Sequence, residues 1–202
     1  AAAEAARAAT WTVARVDKSE RKRSAAPPFI TSTLQQEASR KLGFSSKRTM
    51  AVAQQLYEGI DLPGEGSVGL ITYMRTDSPA LSSAAQDDIA RLVAERYGPN
   101  YVKRTQYKAR AKQAQEAHEG IRPTVVARTP ESVAAHLDPA QRRLYELIWK
   151  RAVASQMAQA VYDQTSVDIN AGDLVFRATG SVLRFDGFVR VYLEGRWIRF
   201  PL

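Results

Sequence analysis

The sequence predicts an α+β protein in which a mainly helical middle section is inserted between two strand-rich ends. Residues 10–17 alternate as a strand does, residues 27–160 carry apolar side chains mostly at helical spacing, and the period returns to two after Tyr162. Because an isolated early strand needs a sheet to join, an inserted domain explains this order better than two consecutive domains. We therefore assign residues 1–26 and 161–202 to a strand-rich domain and residues 27–160 to a helical domain.

The segment between the first strand and the helical section, residues 18–28, is predicted to be a linker or a domain crossing. Its sequence, KSERKRSAAPP, is rich in charged and small residues. Pro27 and Pro28 can continue neither a β ladder nor a helix. The basic run at residues 18–23 also contains an acid, which favours a solvated linker over a binding surface.

Cap residues define the expected helices. Ser32 with Gln35 is expected to form a capping box at the start of the first helix, and a cap residue followed by proline marks three later starts. Glycine is expected to end three helices. The later starts are Ser78-Pro79, Thr129-Pro130 and Asp138-Pro139, and the ends are Gly43, Gly59 and Gly98. The expected core residues are Leu42, Met50, Leu56, Ile89, Leu92, Leu147 and Ile148.

Four other segments carry local signals. Residues 61–69, DLPGEGSVG, predict a Gly/Pro loop, and residues 69–74, GLITYM, predict a short buried strand. Residues 100–115 are basic and polar, which indicates an exposed loop. The Asp-Gly pair within residues 182–191 predicts a hairpin with a type I′ turn.

The composition excludes several classes of protein. The 202 residues are 45% hydrophobic and 25% charged, as in a globular protein, and no run of ~18 apolar residues is present to span a membrane. The absence of cysteine excludes thiol nucleophiles and thiolate metal sites. With 29 Lys and Arg against 21 Asp and Glu, the net charge of +8 favours a cytoplasmic protein with a polyanionic partner, nucleic acid above all.

Common phosphate and metal motifs are missing. The sequence contains neither GxxxxGK[ST] nor GxGxxG, so nucleotide-triphosphate and dinucleotide binding lack support. No aspartate lies two residues from another aspartate or from a glutamate, so the local acidic pair that often holds Mg²⁺ is absent.

The segment GLITYMRTDS, residues 69–78, is the first candidate site. In an extended backbone Tyr73 and Arg75 share one face, and Met74 lies on the other. A fixed guanidinium lowers the cost of forming a phenolate, and it can also hold a phosphate oxygen during attack on phosphorus. The alternative is a core tyrosine with Arg75 reaching to solvent and Asp77 or Ser78 capping a helix.

The segment QEAHEGIRPT, residues 115–124, is the second candidate site. His118 lies between Glu116 and Glu119, and flanking carboxylates favour the cationic imidazole, which can grip a phosphate or donate a proton. A surface histidine in a glutamate-rich turn is the alternative.

Taken together, the sequence resembles the bacterial DNA topoisomerase I family, the type IA topoisomerases. The resemblance runs in order along most of the chain from residue 27 onward. The segments that carry it are PPFITSTLQQEASRKLGFSSKRTMAVAQQLYEG (27–59), GLITYMRTDS (69–78), QEAHEGIRPT (115–124), LYELIWKRAVASQM (144–157) and LRFDGF (183–188).

The resemblance implies a helical tyrosine-bearing domain inserted into a strand-rich arch, and a reaction that relaxes negative supercoils without ATP. A tyrosine attacks a DNA backbone phosphate, stays attached to the 5′ end, and the bond is resealed after strand passage. Tyr73 falls on this nucleophile, Arg75 on the arginine that assists transition-state charge, and His118 on the histidine of the EAHE motif. The implied partners are a single-stranded segment and negatively supercoiled duplex DNA, in a cytoplasmic, nucleoid-associated protein without membrane contact.

The resemblance also implies parts that this sequence does not match. The family's toprim domain, which binds Mg²⁺, and its C-terminal tail have no counterpart here, so the chain is expected to be a central fragment that is inactive alone and has the toprim domain as a partner. Gly120 stands where the motif commonly has alanine. Topoisomerase III and reverse gyrase share this core, so the resemblance does not separate them.

Two functions of other classes stay open: a stand-alone single-stranded DNA-binding module that uses basic and aromatic residues, and a structural fragment without activity. The YMR and EAHE motifs count against both, because neither function needs a nucleophile and an active-site histidine.

Overall fold

The computed structural model describes residues 2–108 and 119–193. The chain falls into two compact units. The sheet unit comprises Ala1–Ser24 and Gln159–Gly187, and the helical unit comprises Ala25–Ala158 and Phe188–Leu202. The predicted α+β class is confirmed, because the described residues contain six α-helices together with antiparallel sheets.

The sheet unit is a three-stranded antiparallel sheet preceded by a short helix. The elements are α1 (Ala2–Ala8), β1 (Trp11–Arg23), β4 (Ala160–Ala171) and β5 (Leu174–Phe185), where strands are numbered in chain order and β2 and β3 belong to the helical unit. The strand order is β1-β4-β5, so the early strand pairs with the first of the two late strands, as predicted.

The linker prediction for residues 18–23 is wrong, because these residues extend β1. Lys18 lies opposite Thr165 in the ladder, and Arg23 lies opposite Ala160. Ladder hydrogen bonds are made by the backbone, so a charged sequence can pair when its side chains face water. The β1 side chains are mostly exposed, which satisfies that condition.

The hairpin prediction for residues 182–191 is also wrong. β5 ends at Phe185, and Gly187–Arg190 form a 3-10 turn. Phe188 is buried, and its N–H donates to the carbonyl of Ala158 (2.9 Å), so the described residues after Gly187 pack in the helical unit. Burial of a large aromatic side chain outweighs the local turn preference of Asp-Gly. The sequence prediction instead assigns all of residues 161–202 to the strand-rich domain, whereas the sheet unit ends at Gly187.

The helical unit contains five α-helices and one small hairpin among its described residues. They are α2 (Thr31–Leu42), α3 (Ser46–Glu58), β2 (Ile60–Leu62), β3 (Gly66–Val68), α4 (Ser83–Tyr97), α5 (Pro130–Val133) and α6 (Pro139–Ser155). Short 3-10 turns occur at Pro99–Tyr101 and Ala134–His136. The β2–β3 hairpin occupies the predicted loop at residues 61–69.

Most of the predicted caps are confirmed. Gly43, Gly59 and Gly98 end α2, α3 and α4, and Thr129 and Asp138 cap α5 and α6. At Asp138 the carboxylate accepts from the N–H groups of Ala140 and Gln141, while the Gln141 side chain accepts from the Asp138 N–H.

Two predicted starts are wrong. The N-cap of the first helix is Ile30, two residues before the predicted Ser32, and its N–H donates to Thr33 Oγ1 (3.0 Å). The helix expected from Ser78-Pro79 begins only at Ser83, where the Ser82 hydroxyl caps it. Both starts differ from the prediction because helix starts depend on backbone geometry as well as on residue type.

The core of the helical unit surrounds α6, which packs against α2 and α3. Of the predicted core, Leu56, Ile89, Leu147 and Ile148 are buried, while Leu42, Met50 and Leu92 are only half-buried. The neighbouring residues Phe44, Thr49 and Val93 are buried instead. The buried faces of α3 and α4 are therefore rotated by about one residue from the predicted faces.

Candidate functional site

The segment 69–78 presents alternate side chains to solvent. Tyr73, Arg75 and Asp77 are exposed, whereas Met74 and Thr76 between them are buried. This alternation places Tyr73 and Arg75 on one face and Met74 on the other, which is the arrangement expected of an extended backbone. The predicted strand at residues 69–74 does not form: within the described part of the chain the segment makes one isolated bridge, between Ile71 and Pro123.

Hydrogen bonds tie the segment to residues 120–124. The Thr72 N–H donates to the carbonyl of Arg122 (2.9 Å), and the Arg122 N–H donates to Thr72 Oγ1 (3.0 Å). The Thr72 hydroxyl donates to the carbonyl of Gly120 (2.8 Å). The Thr124 N–H donates to the carbonyl of Leu70 (3.0 Å). The first motif is therefore a neighbour in space of residues 120–124, the described end of the second motif, just before Tyr73.

The first turn of α2 holds the segment after Tyr73. The Thr31 N–H donates to the carbonyl of Thr76 (3.0 Å), and the Thr76 N–H donates to Thr31 Oγ1 (2.9 Å). Thr31 Oγ1 also lies 2.8 Å from the carbonyl oxygen of Met74, which accepts its hydrogen. Sequence analysis did not identify Thr31 as a site residue, because its partners lie more than 40 positions along the chain.

Tyr73 has an aromatic neighbour that the sequence did not reveal. The Tyr57 and Tyr73 rings meet edge to face, with centroids 5.2 Å apart. The start of the segment also packs closely on the Tyr57 backbone, because a Cβ at Gly69 would lie 2.5 Å from the carbonyl oxygen of Tyr57. Edge-to-face contact restricts the Tyr73 ring while its side chain stays 49% exposed.

An ion pair organises residues 119–122, which directly follow His118 in the sequence. Arg122 donates to the Glu119 carboxylate through Nε (3.0 Å) and a terminal nitrogen (2.6 Å), and the Ser82 N–H donates to the same carboxylate (2.8 Å). Partial burial acts to raise the pKa of Glu119, but the Ser82 hydrogen bond and the Arg122 charge outweigh it and leave that pKa lowered. Glu119 is thus held as a carboxylate.

Arg75 borders an open cleft beside the first turn of α2. The cleft has a volume of about 440 Å³, and its lining includes Thr31, Gln35, Arg75 and Asp77. Within the described residues the Arg75 guanidinium has no ion-pair partner, so its charge is available to an anion. His118, the third predicted site residue, lies outside the described residues, and so do residues 109–115 of the predicted basic loop.

The resemblance assigns Mg²⁺ to the toprim domain rather than to residues of this sequence. Residues 2–108 and 119–193 contain no group of three or more His, Asp or Glu that could hold a metal ion. Over the same ranges, no helix is both long and apolar enough to cross a membrane.

The chain is similar to known DNA topoisomerases along most of its length. The sequence profile described as DNA topoisomerase matches residues 1–199. DNA topoisomerase 1 from two strains of Xylella fastidiosa, 9a5c and Temecula1, is 58% identical over 184 residues, which cover 90% of this chain and 23% of the relative in each case. The full-length topoisomerase I of Thermotoga maritima is structurally similar, with a TM-score of 0.83 and 38% identity over 99% of this chain and 33% of that one. The chain therefore spans about a quarter of the curated relatives' length.

Proposed function

Because this chain belongs to the type IA DNA topoisomerase family, we propose that it supplies the tyrosine nucleophile of an enzyme that cuts and reseals one DNA strand. Tyr73 is the nucleophile, and Arg75 and His118 contact the phosphate under attack. Relaxation of negative supercoils follows when another strand passes through the transient gap. The protein acts on DNA in the cytoplasm.

The proposed step exchanges one phosphodiester for another. The Tyr73 phenol gives up its proton, its oxygen forms a bond to phosphorus, and the bond from phosphorus to the 3′-oxygen breaks. The 3′-oxygen takes up a proton, and the 5′-phosphate stays on Tyr73. Resealing reverses each transfer, so the phosphotyrosine conserves the energy of the broken bond and no ATP is needed.

The observation that carries the proposal is the exposure of Tyr73 on an anchored segment. Tyr73 projects from a backbone held by Thr72 on one side and Thr31 on the other. Two residues later stands the Arg75 guanidinium, which has no ion-pair partner among residues 2–108 and 119–193. A nucleophile must reach its substrate and keep its geometry during attack. A core tyrosine, the alternative considered for this position, would be buried, whereas Tyr73 is not.

Arg75 fits the electrostatic part of the reaction. Attack adds negative charge to the phosphate oxygens, and a cation already in place stabilises that charge without reorganisation. His118 is proposed for a phosphate contact on the resemblance alone. Mg²⁺, which the family implies, finds no ligand cluster in the described residues and is assigned no step here.

The decisive test uses a full-length enzyme carrying this sequence and a single-stranded oligonucleotide labelled at its 3′ end. A 5′-phosphotyrosine leaves the labelled fragment on the protein, so denaturing electrophoresis detects the adduct directly. Tyr73→Phe should abolish adduct and relaxation while DNA affinity is retained. Tyr57→Phe is the matched control, since it keeps the ring contact with Tyr73, and it should still form adduct. Adduct formed by the Tyr73→Phe enzyme would refute the assignment.

The 202-residue chain alone is proposed to be inactive. Removing one electrostatic contribution to such a reaction typically costs ~10²–10³ in rate, and several are needed at a phosphodiester. We expect neither relaxation nor adduct from this chain, with or without Mg²⁺. Adduct formation by the isolated chain would show that its own residues suffice.

A binding module without catalysis is the second candidate, supported by the net charge of +8. Such binding would be mainly electrostatic, with a slope of about −0.7 in log affinity against log salt per phosphate neutralised on a single strand. A full-length enzyme carrying this sequence tests this candidate. If its binding to single-stranded DNA has this salt dependence and Tyr73→Phe changes neither adduct formation nor relaxation, then this chain contributes DNA binding and not the nucleophile.

A further inference from the structure

Two threonine hydroxyls bracket the proposed nucleophile. Thr72, directly before Tyr73, uses its hydroxyl to bond the carbonyl of Gly120 and accept from the N–H of Arg122. Thr31 uses its hydroxyl to bond the carbonyl of Met74 and accept from the N–H of Thr76. Each hydroxyl therefore acts as donor and acceptor at once, and between them they hold the backbone on both sides of Tyr73 and Arg75.

The hydroxyl of Thr31 supplies hydrogen bonds that no described strand provides to residues 74–76. In a sheet, the peptide groups of residues 72–76 would bond to the backbone of an adjacent strand. Here the Met74 carbonyl and the Thr76 N–H have no backbone partner in the described ranges, and the hydroxyl of Thr31 serves both. A segment with so few backbone bonds keeps an extended shape only if other groups supply the missing ones.

The bonds of these two hydroxyls also connect three separate parts of the chain. Thr31 belongs to α2, Tyr73 and Arg75 to the extended segment, and Gly120 lies two residues after His118. Thr72 therefore ties the segment bearing Tyr73 to residues 120–122. Thr31 sets the direction of the peptide units on either side of Arg75.

We propose that Thr31 and Thr72 are positioning residues, whose hydroxyls hold Tyr73 and Arg75 in the geometry required for attack on phosphorus. This inference rests on the function proposed above for Tyr73. Neither hydroxyl touches the DNA in this scheme; each acts through the backbone that it bonds. A small displacement of a reacting group is costly, because attack needs both distance and alignment.

The test compares valine and serine at each position in a full-length enzyme carrying this sequence. Valine matches the shape of threonine without the hydroxyl, whereas serine keeps the hydroxyl. Thr31→Val and Thr72→Val should slow adduct formation at saturating DNA by roughly 10- to 100-fold, with DNA affinity unchanged. Thr31→Ser and Thr72→Ser should form adduct at close to the normal rate.

A third threonine controls for the loss of a buried hydroxyl as such. Thr49 is fully buried in α3, and its hydroxyl bonds the carbonyl of Ser45 (2.9 Å), remote in sequence from the extended segment. Thr49→Val should leave the rate of adduct formation unchanged even where it lowers the melting temperature. Amide hydrogen exchange supplies a readout independent of chemistry: Thr31→Val should speed exchange at the Thr76 N–H.

The outcomes separate the two proposals. Adduct from Tyr73→Phe refutes the nucleophile, whatever the threonine variants do. If Tyr73→Phe is inactive, valine variants with normal rates, or serine variants as slow as valine variants, refute positioning by the hydroxyls. A rate loss matched by an equal loss of DNA affinity, or reproduced by Thr49→Val, refutes it as well.

Discussion

The sheet unit and the helical unit are stabilised in different ways. Among the described residues of the sheet unit, the buried apolar side chains are the alanines Ala6, Ala160 and Ala171. The helical unit buries a large set of aliphatic and aromatic side chains around α6. Large apolar residues that stay exposed are concentrated on the strands of the sheet unit, such as Val175 at 69% and Val182 at 70% exposed.

The sheet depends instead on its backbone ladder and on cross-strand pairs. Trp11 stacks on Phe176 with ring centroids 4.8 Å apart, and Arg177 donates twice to the Asp168 carboxylate (2.6 and 2.9 Å). Contacts of this kind between exposed side chains each add only a small stabilisation. The comparison teaches that the candidate site lies in the unit whose backbone is fixed by burial, which is where a reacting group can be held in place.

The largest contrast is expected from removing apolar volume in each unit. Ile148 is fully buried, so Ile148→Ala should lower the free energy of unfolding by about 2–5 kcal/mol. Val175→Ala on the exposed sheet should change it by no more than about 0.5 kcal/mol. Urea denaturation of this chain measures both values. An equal loss for the two variants would show that the exposed face of the sheet is covered in solution.

Adding a methyl group should sharpen the comparison. At Gly69 a Cβ would lie 2.5 Å from the carbonyl oxygen of Tyr57, so Gly69→Ala should cost about 1–3 kcal/mol through overpacking. At Gly180, in β5, a Cβ meets nothing within 4 Å, and Gly180→Ala should stabilise by about 0.4–1 kcal/mol because the unfolded chain loses freedom. Thermal denaturation should move in opposite directions for the two variants. The same direction for both would contradict the close approach at Gly69.

Ion pairs should respond to acid in both units, but more strongly in the helical one. The pKa of Asp168 is lowered by its hydrogen bond from Arg177, and the pKa of Glu119 is lowered because Ser82 and Arg122 outweigh the effect of burial. A lowered folded-state pKa stabilises the protein above the unfolded pKa, and this stabilisation is lost as the pH falls through the folded pKa.

Neutral variants measure these contributions. Glu119→Gln should cost about 1.5–3 kcal/mol at neutral pH, since the Arg122 guanidinium loses its carboxylate partner, and the variant should show a shallower loss of stability in acid. Asp168→Asn should cost less, and its effect should shrink with added salt, because Arg177 is 67% exposed. Stability curves measured against pH at two salt concentrations test both expectations. An Asp168 effect that is larger and independent of salt would contradict them.

The smallest effect is expected at Gly120. A Cβ there would lie 3.0 Å from the Cβ of Pro28 and 3.3 Å from the backbone of Pro79, which requires shifts of a few tenths of an ångström. Alanine, the residue that the related motif commonly carries, should therefore change stability by less than about 1 kcal/mol. A cost as large as that of Gly69→Ala would show that the two prolines cannot move. Both variants can be compared in one denaturation series.

Local signals predicted much of the fold. Glycine ends and proline starts of helices depend on backbone preferences within a few residues, and Gly43, Gly98 and Asp138 act as predicted. The shared face of Tyr73 and Arg75 was predictable for the same reason, because alternation follows from an extended backbone alone. The hairpin predicted at Asp186-Gly187 failed because burial of Phe188 in the helical unit, a contact that local sequence does not encode, decided that segment.

The sequence by itself determined which residue types stand at the site, in what order, and on which face of an extended segment. Only the tertiary structure decided how that segment is held. Thr31 lies 43 residues from Met74, and Thr72 lies 48 residues from Gly120, so no local preference brings these groups together. Their bonds form because the packing of α2 and of residues 120–124 beside the segment leaves its peptide groups facing hydroxyls rather than water, where an unpaired group would be costly.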